Sequence, residues 1–148
     1  MSALEHSVDL AREPEEVWEV VGDFDKDDQW RRVEHMRSDP EGPAIAGTRT
    51  REVLRFLGST YVTDATVVHV EPGRRLLYEG AGEGTTVRGY RRVEDTSGGT
   101  RFVESIQIEL SGPLRLLEPL LAPLYGRRMK SEVRTLKALL EGRGLPSE

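Results

Sequence analysis

EPEEVWEVVGDFDKDDQW, residues 13–30, holds both tryptophans of the chain and two successive helix starts. Pro14 stands where a first helical turn tolerates a missing N–H, and Glu15 and Glu16 complement the positive helix end. Val17, Val20 and Val21 with Trp18 supply an apolar stripe, and Gly22 ends it. Asp23 is placed to cap a second short helix, Phe24 to about Trp30, with further aspartates in its first turn. Two short helices are therefore predicted, with Trp18 packing the first onto the end of a sheet.

Working outward, residues 3–10 put His6, Val8 and Leu10 on one side and Glu5, Ser7 and Asp9 on the other, the period of a half-buried strand. From Arg32 to Leu110, turn chemistry recurs at 38–47, 58–59, 71–74, 80–84 and 94–99, which predicts a meander of about six antiparallel strands. The period then changes. Leu117, Leu121, Tyr125, Met129, Val133, Leu136 and Leu140 form the stripe of one long helix, with Pro113, Pro119 and Pro123 near its start and Gly142 and Gly144 to stop it. The predicted class is α+β: a curved seven-stranded antiparallel sheet around a long C-terminal helix, a helix-grip fold with two short helices after the first strand. Residues 1–148 are expected to form a single domain. A sheet that curves around a helix leaves a cavity between them.

The order of these elements resembles the START/Bet v 1-like helix-grip superfamily (SRPBCC), and within it the bacterial polyketide cyclase/dehydrase and lipid-transport branch. The resemblance rests on SVDLAREPEEVWEVVGDFDKDDQW, AGTRTREV, VVHVEPGRRLLYE, GGTRFVESIQIEL, GPLRLLEPLL and TLKALLEG, and covers nearly the whole chain. Asp27 and Asp28 depart from the proline that the family often has before the second tryptophan. The resemblance implies a hydrophobic small-molecule pocket and places Trp30 at its mouth; core packing is the other role open to Trp30. It does not imply one chemistry, because carriers, sensors and enzymes share the scaffold.

Strand register directs side chains to the cavity. Across the 94–99 turn, Val93 opposite Phe102 sets Gly89 against Ile106, Val87 against Ile108 and Thr85 against Leu110. The same register sets Arg91 opposite Glu104 on that apolar wall, either as a buried pair or as a pair at a solvated rim. A Gly58-Ser59 turn pairs Phe56 with Tyr61 and Leu54 with Thr63; a Pro72-Gly73 turn pairs His69 with Leu76 and Val67 with Tyr78. Tyr61, His69 and Tyr78 then look inward, although a bulge at Pro-Gly inverts the last hairpin.

The expected occupant is a hydrophobic or aromatic small molecule: a lipid, a quinone or a polyketide-like compound. From the sheet, Leu54, Phe56, Val87, Ile106 and Ile108 would hold it; from the helix, Leu117, Leu121, Tyr125 and Met129; Trp30, Tyr61 and Tyr78 add aromatic surface, and Arg91 and Glu104 orient it. The alternative in the same cavity is a cofactor-free polyketide cyclase or dehydratase, with Glu104 or His69 as base and Arg91 or a tyrosine as donor. A third class, a module docking a protein partner, has no exposed apolar stripe to support it.

Composition removes other classes. A net charge of −5 with a pI near 5.4 argues against nucleic acid as partner. The absence of cysteine excludes disulfides, thiolate metal sites and thiol nucleophiles. Asp23, Asp25, Asp27 and Glu34 have calcium-loop spacing but Asp28 stands where glycine is needed, and His6, His35 and His69 lack a metal-binding spacing, so no metal is expected. GAGEGTT joins two strands without a following helix, which leaves no phosphate cradle, and there is no GxSxG elbow. No cofactor is expected. The N-terminus lacks an export pattern and no window approaches ~20 apolar residues, so a cytoplasmic location without a membrane segment is expected. The oligomeric state leaves no trace in the sequence.

Overall fold

A capping box starts the first helix: the Glu13 and Glu16 side chains each meet the other's backbone N–H, with Pro14 in the first turn. This helix, α1 (Pro14–Val21), follows strand β1 (Ser2–Leu10) in a computed structural model that describes residues 2–143. Gly22 ends α1 beneath the Trp18 ring, which lies so close that a Cβ at position 22 would meet it at 2.6 Å. A 3₁₀ helix, Phe24–Gln29, comes next, with the Asp23 carboxylate accepting from the Asp25 N–H. Six strands then run β2 (His35–Asp39), β3 (Arg49–Phe56), β4 (Ser59–Glu71), β5 (Arg75–Gly82), β6 (Thr85–Thr96) and β7 (Gly99–Leu110). A second 3₁₀ segment, Gly112–Leu117, leads into the long helix α2 (Glu118–Arg143).

The seven strands form one antiparallel sheet in the order β1-β7-β6-β5-β4-β3-β2, with α2 packed on β1. The expected helix-grip fold is present. At one end, Leu10, Val17, Val20, Val21, Trp30, Val93, Phe102, Val133, Leu136 and Leu140 close a core between α1, α2 and the sheet. A smaller cluster of Phe24, Ala44, Val67 and Leu76 continues it beneath β4 and β5.

Four local expectations are corrected. The β3–β4 turn is Leu57-Gly58, both with positive φ (53° and 83°), so Phe56 faces Ser59 and Leu54 faces Tyr61. Because this slips the register by an even number of residues, each side chain keeps its face. The β4–β5 turn takes Pro72, Gly73 and Arg74, and a bulge between Val67 and His69 restores the register, with Val70 opposite Leu76 and Val67 opposite Tyr78. Val67 and Val70 thus pack inward, while Val68 and His69 turn out to solvent. The segment after Asp23 is 3₁₀ rather than α-helical. Finally, α2 begins after a 3₁₀ turn, whose different period carries Leu117 outward and Leu114 inward. Gly144 lies outside the described residues.

Candidate functional site

Three elements leave the closed core side by side and change character together. Along β6 the inward residues run Val93, Arg91, Gly89, Val87, Thr85; along β7, opposite them, Phe102, Glu104, Ile106, Ile108, Leu110. On α2 the order is Leu136, Val133, Glu132, Met129, Tyr125, Leu121. In each case apolar core gives way to one charged residue and then to the wall of a cavity of about 140 Å³. The charged residues form a floor beneath that cavity.

Arg91 anchors the floor. Its Nη1 and Nη2 donate to the two oxygens of Asp27 at 2.9 and 2.6 Å, and Nη1 also donates to the Val21 carbonyl at 3.1 Å. The guanidinium stacks over Phe24 at 4.4 Å and Trp30 at 5.1 Å. Burial works against its charge, but Asp27 and then Glu104 hold its pKa above the ordinary value. Arg31 carries the network across: Nη1 reaches Glu52 at 2.6 Å and Asp27 at 3.0 Å, and Nε lies 3.5 Å from Glu132. Glu132 is closed from behind by the Arg32 N–H at 3.0 Å and by Arg128 at 3.5 Å.

Glu104 is bound least. Its Oε2 lies 3.7 Å from Arg91 Nε, and among the described residues no group hydrogen-bonds its buried Oε1. Burial raises its pKa to about 7, against the opposing pull of Arg91 and Arg31. At neutral pH it therefore exists in both protonation states, able to give or to take a proton. Burial likewise pushes the phenols of Tyr78 and Tyr125 up. Tyr78 lies over Gly89, where a Cβ would meet the phenol oxygen at 2.5 Å, so the glycine is what admits the ring.

Above the floor the cavity takes Leu54, Phe56 and Tyr61 from β3 and β4, Tyr78 from β5, Val87 from β6, Ile106 and Ile108 from β7, and Leu121, Tyr125 and Met129 from α2. Phe56 and Tyr125 meet edge to face across it at 5.6 Å. Arg91 and Glu104 line it too, and both are buried, so they do not form a solvated rim. Three residues expected here lie elsewhere, the first being Leu117, which turns outward. Trp30 belongs to the core, edge to face with Phe102 at 5.8 Å, because the 3₁₀ helix turns it under the floor. His69 is half exposed beside Glu71, because the bulge turns it out, and it is not among the residues that line the cavity. Arg91 also differs from expectation: both terminal nitrogens are committed to Asp27 and Val21, which makes it a positioning group of the floor, and only its Nε, 3.7 Å from Glu104, is without a hydrogen-bond partner among the described residues.

Asp27, Arg31, Glu52 and Glu132 complete the floor; the motif reading weighed Asp27 only in a calcium-like spacing and as a departure from the family's proline, and did not single out the other three. Their signal was periodic. Phe24, Asp27 and Trp30 share one side of a helix with three residues per turn, and Glu132 falls three after Met129 and four before Leu136 on a buried stripe. Asp25, part of the calcium-like spacing, is taken by the Ser38 N–H and hydroxyl and the Gly42 N–H. Among the described residues no cluster of acidic and histidine side chains could hold a metal.

Residues 1–141 match the family described as polyketide cyclase / dehydrase and lipid transport. The chain belongs to that family. Solved structures agree on the fold of this polyketide cyclase/dehydrase and lipid-transport member. It is similar to the Zhui aromatase/cyclase from Streptomyces sp. R1128, with a TM-score of 0.82, 15% identity, and 99% of this chain and 97% of that one covered. It is also similar to the protein TTHA0849 from Thermus thermophilus, with a TM-score of 0.79, 19% identity, and 97% and 99% covered. A START superfamily protein from Mycobacterium smegmatis gives a TM-score of 0.75 at 16% identity, with 95% and 97% covered. No curated protein matches the chain. No helix among the described residues is long and apolar enough to cross a membrane.

Proposed function

We propose that the protein binds a hydrophobic or aromatic small molecule in the cavity between the sheet and α2. The carrying observation is the cavity itself: aliphatic and aromatic walls over a floor where Glu104 Oε1 lacks a hydrogen-bond partner among the described residues, as does Glu132 Oε1, which has Arg31 Nε beside it at 3.5 Å. Apolar walls with one convergent polar point are what a small apolar ligand needs. The volume bounds the ligand, since a cavity of about 150 Å³ accommodates a benzene ring, and 140 Å³ suits a one-ring body. Larger lipids, quinones or polyketides require α2 to stand further off the sheet. In this reading one domain spanning residues 1–148 carries or senses its ligand in the cytoplasm, without nucleic acid. The test is native mass spectrometry after incubation with a mixture of lipids, quinones and aromatic polyketides. One retained small molecule per chain is expected, and persistent absence of any bound species sinks the reading.

The state of Glu104 favours a second reading, a cofactor-free cyclase or dehydratase. A buried carboxyl titrating at about 7 is poised for proton transfer beside a carbonyl. Tyr78 and Tyr125, which line the same cavity, would supply donors to a developing enolate in place of Arg91. Glu104→Gln should then abolish turnover of a polyketone substrate while leaving its affinity within a few-fold. Unchanged turnover in that variant refutes the second reading and leaves the first intact.

A further inference from the structure

The floor holds an unequal number of charges. Four carboxylates, Asp27, Glu52, Glu104 and Glu132, meet three guanidiniums, Arg31, Arg91 and Arg128. Every guanidinium is paired with a carboxylate, Arg91 with Asp27, Arg31 with Asp27, Glu52 and Glu132, and Arg128 with Glu132 and the carbonyls of Arg55 and Arg32, although the buried Nε of each has no hydrogen-bond partner among the described residues. No cation among them is left over for an acidic ligand. The surplus carboxylate is Glu104, which is 4% exposed, lines the cavity and has an oxygen that no group among the described residues hydrogen-bonds. Around it the cavity is lined by the rings of Phe24, Phe56, Tyr61, Tyr78 and Tyr125, and aromatic quadrupoles attract cations.

Resting on the binding reading above, we propose that the ligand carries a cationic amine head, paired with Glu104 among these rings, on an apolar body held by Val87, Ile106, Ile108 and Leu121. The head restores the floor to four positive and four negative charges. A carboxylate head in the same place would add a second unpaired anion in a desolvated site. A neutral head could only hydrogen-bond to Glu104, leaving the surplus charge to be removed by a proton.

The unliganded cavity balances its surplus with that proton, since burial raises the Glu104 pKa to about 7. An entering ammonium, which keeps its own charge to a pKa near that of lysine, about 10.4, displaces it. Amine binding is therefore coupled to proton release and strengthens as pH rises through neutrality. The other charged and titratable groups facing Glu104 are Arg91 on β6, Tyr78 on β5, Glu132 on α2, Asp27 and Arg31 at the 3₁₀ helix, and His6, directly opposite on β1. His6 is the cross-strand neighbour of Glu104, so its substitution serves as the control.

The test uses three probes of matched size, 4-propylbenzylamine, 4-propylbenzyl alcohol and 4-propylbenzoate, titrated calorimetrically into the full chain between pH 6 and 8. At pH 8 the amine should bind at least tenfold more tightly than the alcohol, and the benzoate should not bind. Amine affinity should rise about tenfold from pH 6 to pH 8, the change expected from displacing a proton of pKa about 7. Buffers of different ionisation enthalpy should report protons released. Glu104→Gln should bring the amine-to-alcohol affinity ratio down to about one and flatten the pH slope, and His6→Gln should leave the pH slope in place. If Glu104→Gln does not fold, the amine-to-alcohol ratio and its pH slope in the unaltered protein decide alone. Alcohol binding as tight as amine, affinity falling as pH rises, or preferred binding of benzoate would each overturn the proposal while preserving the cavity as a binding site. Failure of all three probes would count against the binding reading itself.

Discussion

Replacing Asp27 by alanine removes the carboxylate that meets both terminal nitrogens of Arg91, at 2.9 and 2.6 Å. Arg91 is 1% exposed, and the Val21 carbonyl at 3.1 Å and Glu104 at 3.7 Å would remain as its partners. Arg31 loses one contact too, but keeps Glu52 at 2.6 Å. An uncompensated buried arginine costs about 3–5 kcal/mol. Against a typical total of about 5–15 kcal/mol, that is roughly a fifth or more of the stability of an ordinary domain. With a urea dependence of about 1–3 kcal/mol per molar, the unfolding midpoint should fall by roughly 1–5 M. The double variant Asp27→Leu with Arg91→Met should recover most of the loss, because apolar residues of similar volume remove the desolvation penalty together with the charges. A loss below about 1 kcal/mol for Asp27→Ala would place the pair in solvent and refute the charged floor.

Three further outcomes follow from the same geometry. Glu104 has a folded pKa near 7 against 4.5 unfolded, so the folded state holds its proton more tightly; its contribution is full below pH 4.5 and is lost as pH rises to about 7. That loss, about 3 kcal/mol for a shift of this size, should be absent in Glu104→Gln, so the variant's stability relative to the parent should climb across this window in urea melts. Equal slopes for the two proteins would contradict the buried placement of Glu104. Ile108→Phe, on the cavity wall opposite Val87, should reduce ligand affinity at least tenfold by filling space while costing under about 1.5 kcal/mol; undiminished affinity by calorimetry would put the ligand elsewhere. His69→Ala should change stability by no more than about 0.5 kcal/mol and leave binding untouched; lost binding would mean that His69 does reach the cavity.

Where turn chemistry and periodicity act locally, the sequence was readable. The EDTSGG turn sets the whole β6–β7 register from Val93 opposite Phe102 to Thr85 opposite Leu110, including Arg91 opposite Glu104. At the two other hairpins the turn residues were less decisive. Leu57 takes a positive φ that glycine usually supplies, which moved the turn by one position, and a three-residue turn with a compensating bulge turned His69 outward. The partner of Arg91 was hidden for a different reason. Cross-strand pairing is a two-dimensional relation and names Glu104, whereas Asp27 arrives from a helix packed above the sheet, 64 residues away in sequence. A cluster of aspartates in a first helical turn reads as solvated, and only tertiary packing singled out Asp27 for burial. Trp30 follows Asp27 below the floor for the same reason.

The division of the interior into a closed core, a charged floor and a ligand cavity is tested most directly by methyl-resolved NMR. Selectively labelled Ile, Leu, Val and Met methyls are followed while a one-ring aromatic amine is titrated into the full chain. The methyls of Ile106, Ile108, Leu121 and Met129, above the floor, should shift and saturate together, while those of Val17, Val20 and Leu136, below it, stay in place. Shifts confined to the exposed Leu116 and Leu120, or shared equally by the core valines, would contradict the account.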